Sequence, residues 1–516
     1  MIGKLRRTRG TMVSLGLVCL LAAWVMATPP FGAPDEQSHY LRALTITNGR
    51  LLGPKVSYHL PGLPTPEPNW QKEELAWDDH DTRAVQVPPR VSPPAVSCLD
   101  GSPDVGARGC LEATPNGDYP PLAYLLPAVA LRWAGDATTG DYLARAASAV
   151  PVLAFLILAL VLISPMGRSS LLGLLLALTP MVLFVGSVLN SSGLDIAASF
   201  ACAAAAMRIA AGPERASAWV WVALAISGVV AILSWQLGPW FVLLSVALAA
   251  AIAAPQRASA VGAQRRRAIW TGLAFTAAFA VYLVYGAISG VTHGGLSFTS
   301  LGSRISGGFD QLAHGVLPDA VGRFGWRTVP LPTFSYWIWW LGVVALVAAA
   351  LWLGRARERT VLVAAVVAAL MFPVVFYAFV YSQSGFGLQG RQVLPLLMLV
   401  PLLAGHVISQ AENRGRRHGA RLATTAVIVI AAFQLFAWWI NARHSAGVPQ
   451  SVWFLAHPLW SPPLGWWPWT LLAACGAASV AVTAIRRGAP KIKPSVDRLR
   501  PSGSASNVVE TPERPR

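Results

Sequence analysis

Long apolar runs recur along the whole chain, and they constrain its fold more than any other feature. A run of about 18 or more apolar residues is long enough to cross the hydrocarbon core of a bilayer as a helix. Of the 516 residues, 54% are hydrophobic and 12% are charged, with a mean hydropathy of +0.52. This composition predicts an all-α integral membrane protein with about twelve transmembrane helices. The predicted spans are 11–28, 142–163, 170–189, 194–212, 217–236, 238–254, 268–290, 333–353, 361–381, 391–409, 422–441 and 466–485.

The positive charges are unevenly distributed, and their distribution predicts the topology. The first run follows the basic start MIGKLRRTRG and has no convincing small-residue cleavage site, so it is expected to be an uncleaved anchor. With residues 1–10 in the cytoplasm, 26 of the 40 lysines and arginines lie in cytoplasmic segments, as the positive-inside rule requires. The formal charge of +17 therefore needs no nucleic acid as a partner. A multi-pass protein of the plasma membrane is expected, surrounded by membrane lipids and with both termini cytoplasmic.

Segment 119–133 decides how the rest of the chain is divided. It is apolar but short, and counting it as a span would move every later basic loop to the outside. It is therefore predicted to lie on the outer surface as a juxtamembrane helix. The membrane domain is then 11–485, with a large outer loop at 29–141 and a second at 291–332. The basic tail 486–516 is rich in proline and serine and is predicted to be disordered in the cytoplasm.

A polar cluster follows the first apolar run directly. Its members are Asp35, Glu36, His39 and Arg42. If a helix begins at residue 35, residues 35, 39 and 42 share one face. A carboxylate, an imidazole and a guanidinium at the membrane surface can accept a proton or hold a phosphate. The alternative is structural, because the helix dipole stabilises acids in the first turn of any helix.

Arginines on the predicted outer side form a second signal, since the positive-inside bias disfavours them there. The string VGRFGWRTVPLP places Arg323 and Arg327 beside Trp326, and SGFGLQGRQVLPLL places Arg391 at the start of a helix. Guanidinium groups in such positions are suited to binding a phosphate. Anchoring of the tryptophan at the interface and snorkelling of the arginines are the structural alternatives.

The outer loop 29–141 also contains two cysteines and an acidic string. Oxidation is permitted outside the cell, so Cys98 and Cys110 are predicted to form a disulfide. The acidic residues within 73–81 could bind a divalent cation. Their spacing fits no calcium loop, and a solvated acidic surface is the favoured interpretation.

Several strings together resemble a known family. They are, in chain order, PDEQSHYLRA, YPPLAYLLPA, LTPMVLFVGSVLNSSGLD, FGWRTVPLP, QGRQVLPLL and SPPLGWWPW. From about residue 13 to 485 the chain resembles the bacterial polytopic membrane proteins called domain of unknown function family 2142. That family is similar in architecture to the C-type (GT-C) glycosyltransferases, which include protein mannosyltransferases and lipid A aminoarabinose transferases. Those enzymes have an acidic residue just past the first helix, juxtamembrane helices in a large first loop, and polyprenyl-phosphate sugars as donors.

The resemblance implies roles for particular residues. It places the acidic motif on Asp35 and Glu36, with Asp35 as the base, and makes Arg391 the ligand of the donor phosphate. Gln392 stands where the family more often has an aromatic residue. Because C-type enzymes divide into metal-dependent and metal-independent kinds, a divalent metal stays an open alternative, and no other cofactor is implied.

The expected function is an inverting glycosyltransferase. It would move a sugar from a polyprenyl-phosphate-linked donor to a cell-wall glycan or lipid acceptor on the outer face. Asp35 would deprotonate the acceptor, while Arg391, with Arg323 or Arg327, would stabilise the departing phosphate. The alternatives are a transporter or flippase of lipid-linked glycans and a non-catalytic envelope-assembly protein. Against a transporter, the sequence shows no charged residues or interrupted helices near the middle of the membrane.

Overall fold

In its computed structural model, the protein is a bundle of helices with two small β-sheets. The structure describes residues 2–57, 81–93, 110–211, 216–253, 264–289, 300–384, 388–415 and 420–485. Its α-helices are α1 (Ile2–Met26), α2 (Glu36–Thr47), α3 (Leu125–Leu131), α4 (Ala137–Ile163), α5 (Arg168–Ala177), α6 (Pro180–Ser187), α7 (Ser192–Ala211), α8 (Ala218–Ser234), α9 (Gly238–Ile252), α10 (Arg265–Ser289), α11 (Leu301–Asp310), α12 (Leu317–Gly322), α13 (Thr333–Leu353), α14 (Ala356–Ser384), α15 (Gly390–Asn413), α16 (Ala420–Ser445) and α17 (Trp466–Ile485).

The long apolar helices confirm the predicted fold class. Each predicted span coincides with one helix or, for 170–189, with the pair α5 and α6. Within the described part of the chain, seven helices are long and apolar enough to cross a membrane, and the pair would make eight if it were one span. The protein is therefore an all-α, multi-pass membrane protein, and twelve crossings stays a prediction.

The pair α5 and α6 departs from the sequence analysis, because the chain bends by 59° between them. The first helix ends at Ala177, and Thr179 caps the second, with its Oγ1 accepting from the Val182 N–H at 3.3 Å. Pro180 then occupies the first position of α6, where its missing N–H is not needed. The Leu178 carbonyl accepts a hydrogen bond from Gln434 Nε2 at 2.5 Å. The expectation that no helix is interrupted was wrong here.

The loop between α1 and α4 contains a small antiparallel sheet that its sequence pattern does not predict. Its strands are β1 (Lys55–Ser57), β2 (Asp81–Val87) and β3 (Cys110–Thr114), in the order β1-β2-β3. Side chains tie this sheet to α2. Thr114 Oγ1 donates to the Ser38 carbonyl at 2.9 Å, and Asn48 Nδ2 donates to the Gln86 carbonyl at 2.9 Å.

The segment predicted to be a juxtamembrane helix is helical. It consists of a 3₁₀ turn, Pro121–Tyr124, that continues into α3. Exposed apolar side chains cover one side of it, namely Leu125, Leu126, Val129 and Trp133. An exposed apolar face on a short helix suits the surface of a membrane, which remains the predicted position of α3.

A second, two-stranded sheet lies between α12 and α13. After α11, a π-helical turn (Gln311–Val316) leads into α12, and the chain then forms the hairpin of β4 (Arg323–Phe324) and β5 (Val329–Pro330). Phe324 is fully buried, with its ring centroid 5.0 Å from that of Trp24 and 5.2 Å from that of Phe184. These aromatic contacts attach the hairpin to α1 and α6 at the end of the bundle where α1 stops.

Candidate functional site

The chain turns sharply after α1, and this turn orients Asp35. Phe31 and Asp35 both adopt left-handed backbone conformations, with φ of 60° and 57°. Such values are uncommon outside glycine and persist only where the surrounding structure holds them. Asp35 is the N-cap residue of α2, but its side chain makes no capping hydrogen bond. The carboxylate instead forms an ion pair with Arg391 on α15, 356 residues away in sequence.

Arg391 is positioned by the close approach of α15 to α12. A Cβ atom on Gly390 would lie 2.3 Å from the Val316 carbonyl oxygen and 2.5 Å from the Ala320 nitrogen. A side chain is therefore excluded at residue 390, and the first turn of α15 packs directly against the helix that carries Asp319. A capping box holds the same turn, because Gln392 Oε1 accepts from the Gln389 N–H at 2.9 Å. Gln392 thus has a structural task at the position where the family more often has an aromatic residue.

The β4–β5 hairpin contributes two more guanidinium groups. Asp319 on α12 accepts from Arg323 Nη1 at 3.3 Å, and its Oδ2 forms an ion pair with Arg327 Nε at 3.2 Å. Its side chain is only 3% exposed, and burial raises the pKa of this carboxyl while Arg327 and Arg323 act to lower it. Arg327 has a left-handed backbone, with φ of 62°, and its side chain is 46% exposed. The single carboxylate of Asp319 therefore orients two arginines but can neutralise the charge of only one of them.

These groups meet at one pocket, which we call the site pocket. It is lined by Pro34, Met181, Phe184, Asp319, Arg323, Arg327, Gln389 and Arg391. Asp35, next to Pro34 and paired with Arg391, lies at its edge, and its side chain is 37% exposed. Three guanidinium groups thus stand against two carboxylates. The free volume is about 10 Å³, room for roughly one water molecule.

Glu36 lies outside the site pocket, although it directly follows Asp35. It is fully buried and forms a two-pronged ion pair with Arg145 of α4, at 2.7 Å to Nε and 2.5 Å to Nη2. Its Oε1 also accepts from the Leu189 N–H at 3.1 Å, and its Oε2 from the Ala33 N–H at 3.2 Å. Both oxygens are occupied by donors, which is the arrangement of a framework residue.

Arg145 extends this buried cluster to the end of α1. Its Nε lies 3.0 Å from Asp141 Oδ2, and its Nη1 and Nη2 donate to the carbonyls of Thr28 and Pro29, each at 2.7 Å. Asp141 Oδ2 also accepts from the Phe31 N–H at 3.2 Å. The cluster thereby fixes the turn between α1 and α2 from which Asp35 projects.

His39 and Arg42 also have structural partners. His39 is buried, with Nδ1 2.7 Å from Tyr124 Oη, and burial lowers its pKa to about 3 against the opposing effect of Asp35. Arg42 is fully buried and donates to the Tyr119 carbonyl at 2.9 and 3.0 Å and to the Leu51 carbonyl at 3.0 Å. His39 and Arg42 lie three residues apart on α2 and both contact Tyr119 and Tyr124, whereas Asp35 precedes the helix and pairs with Arg391 instead.

The other predicted site residues have mixed positions. Trp326 is 56% exposed in the hairpin turn and is not part of the pocket lining. In the described part of the chain, no group of three or more His, Cys, Asp or Glu residues could hold a metal ion. Cys98 and most of the acidic string 73–81 lie outside the described residues, and Cys110 is the first residue of β3. The disulfide and the divalent metal therefore remain predictions.

Two functional neighbours were missed by the sequence analysis. Asp319 stands four residues before Arg323, the spacing at which helical side chains meet, but it was given no role. Arg145 is a charge near the start of a predicted span, and such charges are rarely unpaired. Its position alone does not identify Glu36, 109 residues earlier, as the partner.

Fold and site together define a helical membrane protein with a charged pocket at the end of the bundle where α1 stops. The family model described as "Predicted membrane protein (DUF2142)" matches residues 18–400. The chain belongs to this family, as its sequence strings predicted. None of the curated proteins searched matches it.

Two solved structures of one bacterial protein are similar to this chain. ArnT from Cupriavidus metallidurans in the apo state is 14% identical, with a TM-score of 0.45 over 92% of this chain and 76% of that one. ArnT from the same organism bound to undecaprenyl phosphate is 12% identical, with a TM-score of 0.42 over the same shares.

Proposed function

We propose that this protein is a glycosyltransferase that moves a sugar from a polyprenyl-phosphate-linked donor to a hydroxyl group of a cell-envelope glycan or lipid. The observation that carries the proposal is the ion pair of the partly exposed Asp35 with Arg391, beside two further guanidinium groups. Transfer to a hydroxyl needs a base for the proton and cations for the departing phosphate. The site pocket offers both within one group of side chains.

Donor binding requires a rearrangement, because the site pocket has almost no free volume. A phosphate that reaches Arg391 takes the place of the Asp35 carboxylate. In the resting structure the Asp35 carboxylate is occupied by the Arg391 guanidinium. When Arg391 turns to the phosphate, Asp35 is released to accept the proton of the acceptor hydroxyl. The donor then binds first and activates the base.

The remaining residues divide into two groups in this proposal. Arg323 and Arg327 stabilise the negative charge on the leaving phosphate, and Asp319 holds them in place. Glu36, predicted with Asp35 as a candidate catalytic carboxylate, is assigned to the framework because it is fully buried and paired with Arg145. Arg42 is likewise assigned to the framework. No step of this scheme runs through a metal ion.

A variant of Asp35 tests the proposal. Asp35→Asn keeps the shape of the side chain but removes its ability to take up a proton, so transfer should slow by roughly 10²-fold or more. The measurement is complementation of a strain that lacks the gene, with cell-wall sugars and accumulated lipid-linked sugars quantified together. Asp310→Asn is the matched control, since the Asp310 side chain is 74% exposed on α11. Full complementation by Asp35→Asn would overturn the assignment.

A transporter of lipid-linked glycans is the second candidate, favoured by two observations. The helix pair α5 and α6 is interrupted, and Asp195 on α7 is a carboxyl group buried to 1% exposure inside a membrane helix. Purified protein in detergent micelles separates the two functions, because a micelle has no second compartment. A transferase still joins sugar to acceptor there, and a transporter does not.

The proposal also requires the site to face outward. A cysteine at Val452, 70% exposed between α16 and α17, should react with a membrane-impermeant thiol reagent in intact cells. A cysteine at Asn413, at the other end of α15, should react only after the cells are broken. The opposite labelling pattern would place the pocket in the cytoplasm.

A further inference from the structure

A second charged pocket lies at the opposite end of the bundle from the site pocket. This distal pocket is lined by Leu353, Gly354, Arg355, Ala356, Arg359 and Arg414, and its volume is about 410 Å³. Helix α15 runs from Gly390 to Asn413, 24 residues, so the two pockets are separated by roughly 36 Å. That distance is about the thickness of a membrane.

The distal pocket carries an excess of positive charge. Arg414 makes a two-pronged ion pair with Glu358, at 2.8 and 3.0 Å. The same carboxylate accepts from the backbone N–H of Arg355 at 2.8 Å. Three guanidinium groups thus stand against one carboxylate, and Arg355 and Arg359 supply two positive charges beyond the pair.

The pocket is rigidly built. A Cβ atom on Gly354 would lie 2.7 Å from the Ala350 carbonyl oxygen and 3.0 Å from Val407 Cγ1, so the turn between α13 and α14 packs directly on α15. Ser169 Oγ donates to Glu412 Oε1 at 2.6 Å and joins the end of α15 to α5. The arginines are therefore presented on a preformed surface, and little conformational freedom is lost when an anion binds.

Exposed apolar side chains continue from this pocket along the bundle. Trp352 is 69% exposed at its edge, and the Trp352 carbonyl accepts from Arg359 Nη2 at 3.1 Å. Val344 and Leu341, further along α13, are 60% and 62% exposed, and Val363 on α14 is 49% exposed. An indole beside cationic groups and above an apolar surface is typical of the boundary between headgroups and acyl chains.

From this arrangement we infer that the distal pocket binds the phosphodiester headgroup of an anionic membrane phospholipid. The two excess guanidinium groups meet the phosphate, and the exposed surface of α13 and α14 meets the acyl chains. Basic pockets between membrane helices bind anionic headgroups by this combination. A soluble anion would gain nothing from the apolar surface.

The test uses the purified full-length protein and native mass spectrometry. The wild type should retain phosphatidylglycerol in preference to phosphatidylcholine. The double variant Arg355→Gln/Arg359→Gln should bind phosphatidylglycerol roughly 10- to 30-fold more weakly. Arg357→Gln is the matched control on the same turn, since the Arg357 side chain donates to the Ala251 carbonyl and does not line the pocket. This control should bind as the wild type does.

Four outcomes would overturn the inference. They are equal retention of the two lipids, equal loss in the control and the double variant, displacement of phosphatidylglycerol by millimolar inorganic phosphate, and preferential binding of undecaprenyl phosphate. Displacement by phosphate would indicate a soluble anion site, and the last result a second carrier site. Unchanged gel-filtration profiles and circular dichroism verify that the variants are folded.

Discussion

Asp35 and Glu36 are consecutive carboxylates that both pair with an arginine, yet they belong to different parts of the molecule. The Glu36–Arg145 pair is fully buried on both sides, whereas the side chains of the Asp35–Arg391 pair are 37% and 13% exposed. Glu36 receives backbone N–H groups as well as the guanidinium. A carboxylate–arginine pair therefore belongs to the framework where water is excluded, as at Glu36, and to a candidate reactive site where water has access, as at Asp35.

The energetic consequences of the two pairs also differ. A buried charge has lost its hydration, so removing its partner leaves a strongly unfavourable isolated ion. A partly exposed charge can recover water as a partner, and its pairing contributes about 0 to 1 kcal/mol. Changes at Arg145 should therefore affect folding, and changes at Arg391 should affect activity.

Arg145→Met against Arg391→Met is the sharpest way to break this comparison. Loss of Arg145 leaves Glu36 and Asp141 buried without their cation and should destabilise the protein by about 3 to 5 kcal/mol. Loss of Arg391 should cost no more than about 1 kcal/mol. Thermal unfolding in detergent, followed by tryptophan fluorescence, measures both. Equal shifts in the midpoint would show that exposure does not distinguish the pairs.

Gly390→Ala tests whether the Asp35–Arg391 ion pair depends on the close packing of α15 against α12. The added methyl group collides with backbone atoms of α12, so the start of α15 must shift, at a cost of about 1 to 3 kcal/mol. Because Arg391 is the next residue, activity should fall with stability.

The matched control for this change is Gly272→Ala on α10, where a Cβ atom meets nothing within 4 Å. There the substitution should be neutral or stabilising by up to about 1 kcal/mol. Equal behaviour of the two variants would contradict the packing argument.

Much of the site could be predicted because its residues break a general rule. Arg323, Arg327 and Arg391 lie on the predicted outer side of the membrane, where arginine is disfavoured, and Asp35 follows the first predicted span directly. The structure brings Arg391 to Asp35 and the other two arginines to the same pocket. Charge placement therefore pointed to the three arginines without any knowledge of their contacts, and the family resemblance supplied the roles of Asp35 and Arg391.

The division between Asp35 and Glu36 could not be predicted, because distant partners decide it. The sequence predicts a helix from residue 35, whereas the left-handed backbone of Asp35 makes Glu36 the first helical residue. The partners Arg145 and Arg391 lie on helices far along the chain. The small sheet β1-β2-β3 was missed for a similar reason, since its longest strand has 7 residues and its pairing joins separated segments.

His39 allows the contrast between the buried framework and the partly exposed site to be tested by changing the pH rather than by removing a charged partner. Burial lowers its pKa to about 3, well below the ordinary value of 6.5, so the folded protein holds a neutral imidazole. Below pH 6.5 the unfolded chain binds a proton that the folded protein does not. The free energy of unfolding is therefore unaffected by His39 above pH 6.5 and decreases as the pH falls from 6.5 towards 3.

His39→Gln should remove this dependence while its amide can still bond to Tyr124. At pH 5.5 the loss of folding stability caused by His39 depends on the pKa of this residue in the unfolded chain and amounts to roughly 1 kcal/mol. The wild-type thermal midpoint should therefore fall more between pH 7.5 and pH 5.5 than that of the variant. His314→Gln is the control, because the His314 side chain is 79% exposed and His39 is left in place. Its thermal midpoint should fall between pH 7.5 and pH 5.5 by as much as that of the wild type. If the thermal midpoints of the wild type and His39→Gln change equally with pH, the imidazole becomes protonated in the folded state. His39 would then belong, with Asp35, to the part of the site that water can reach.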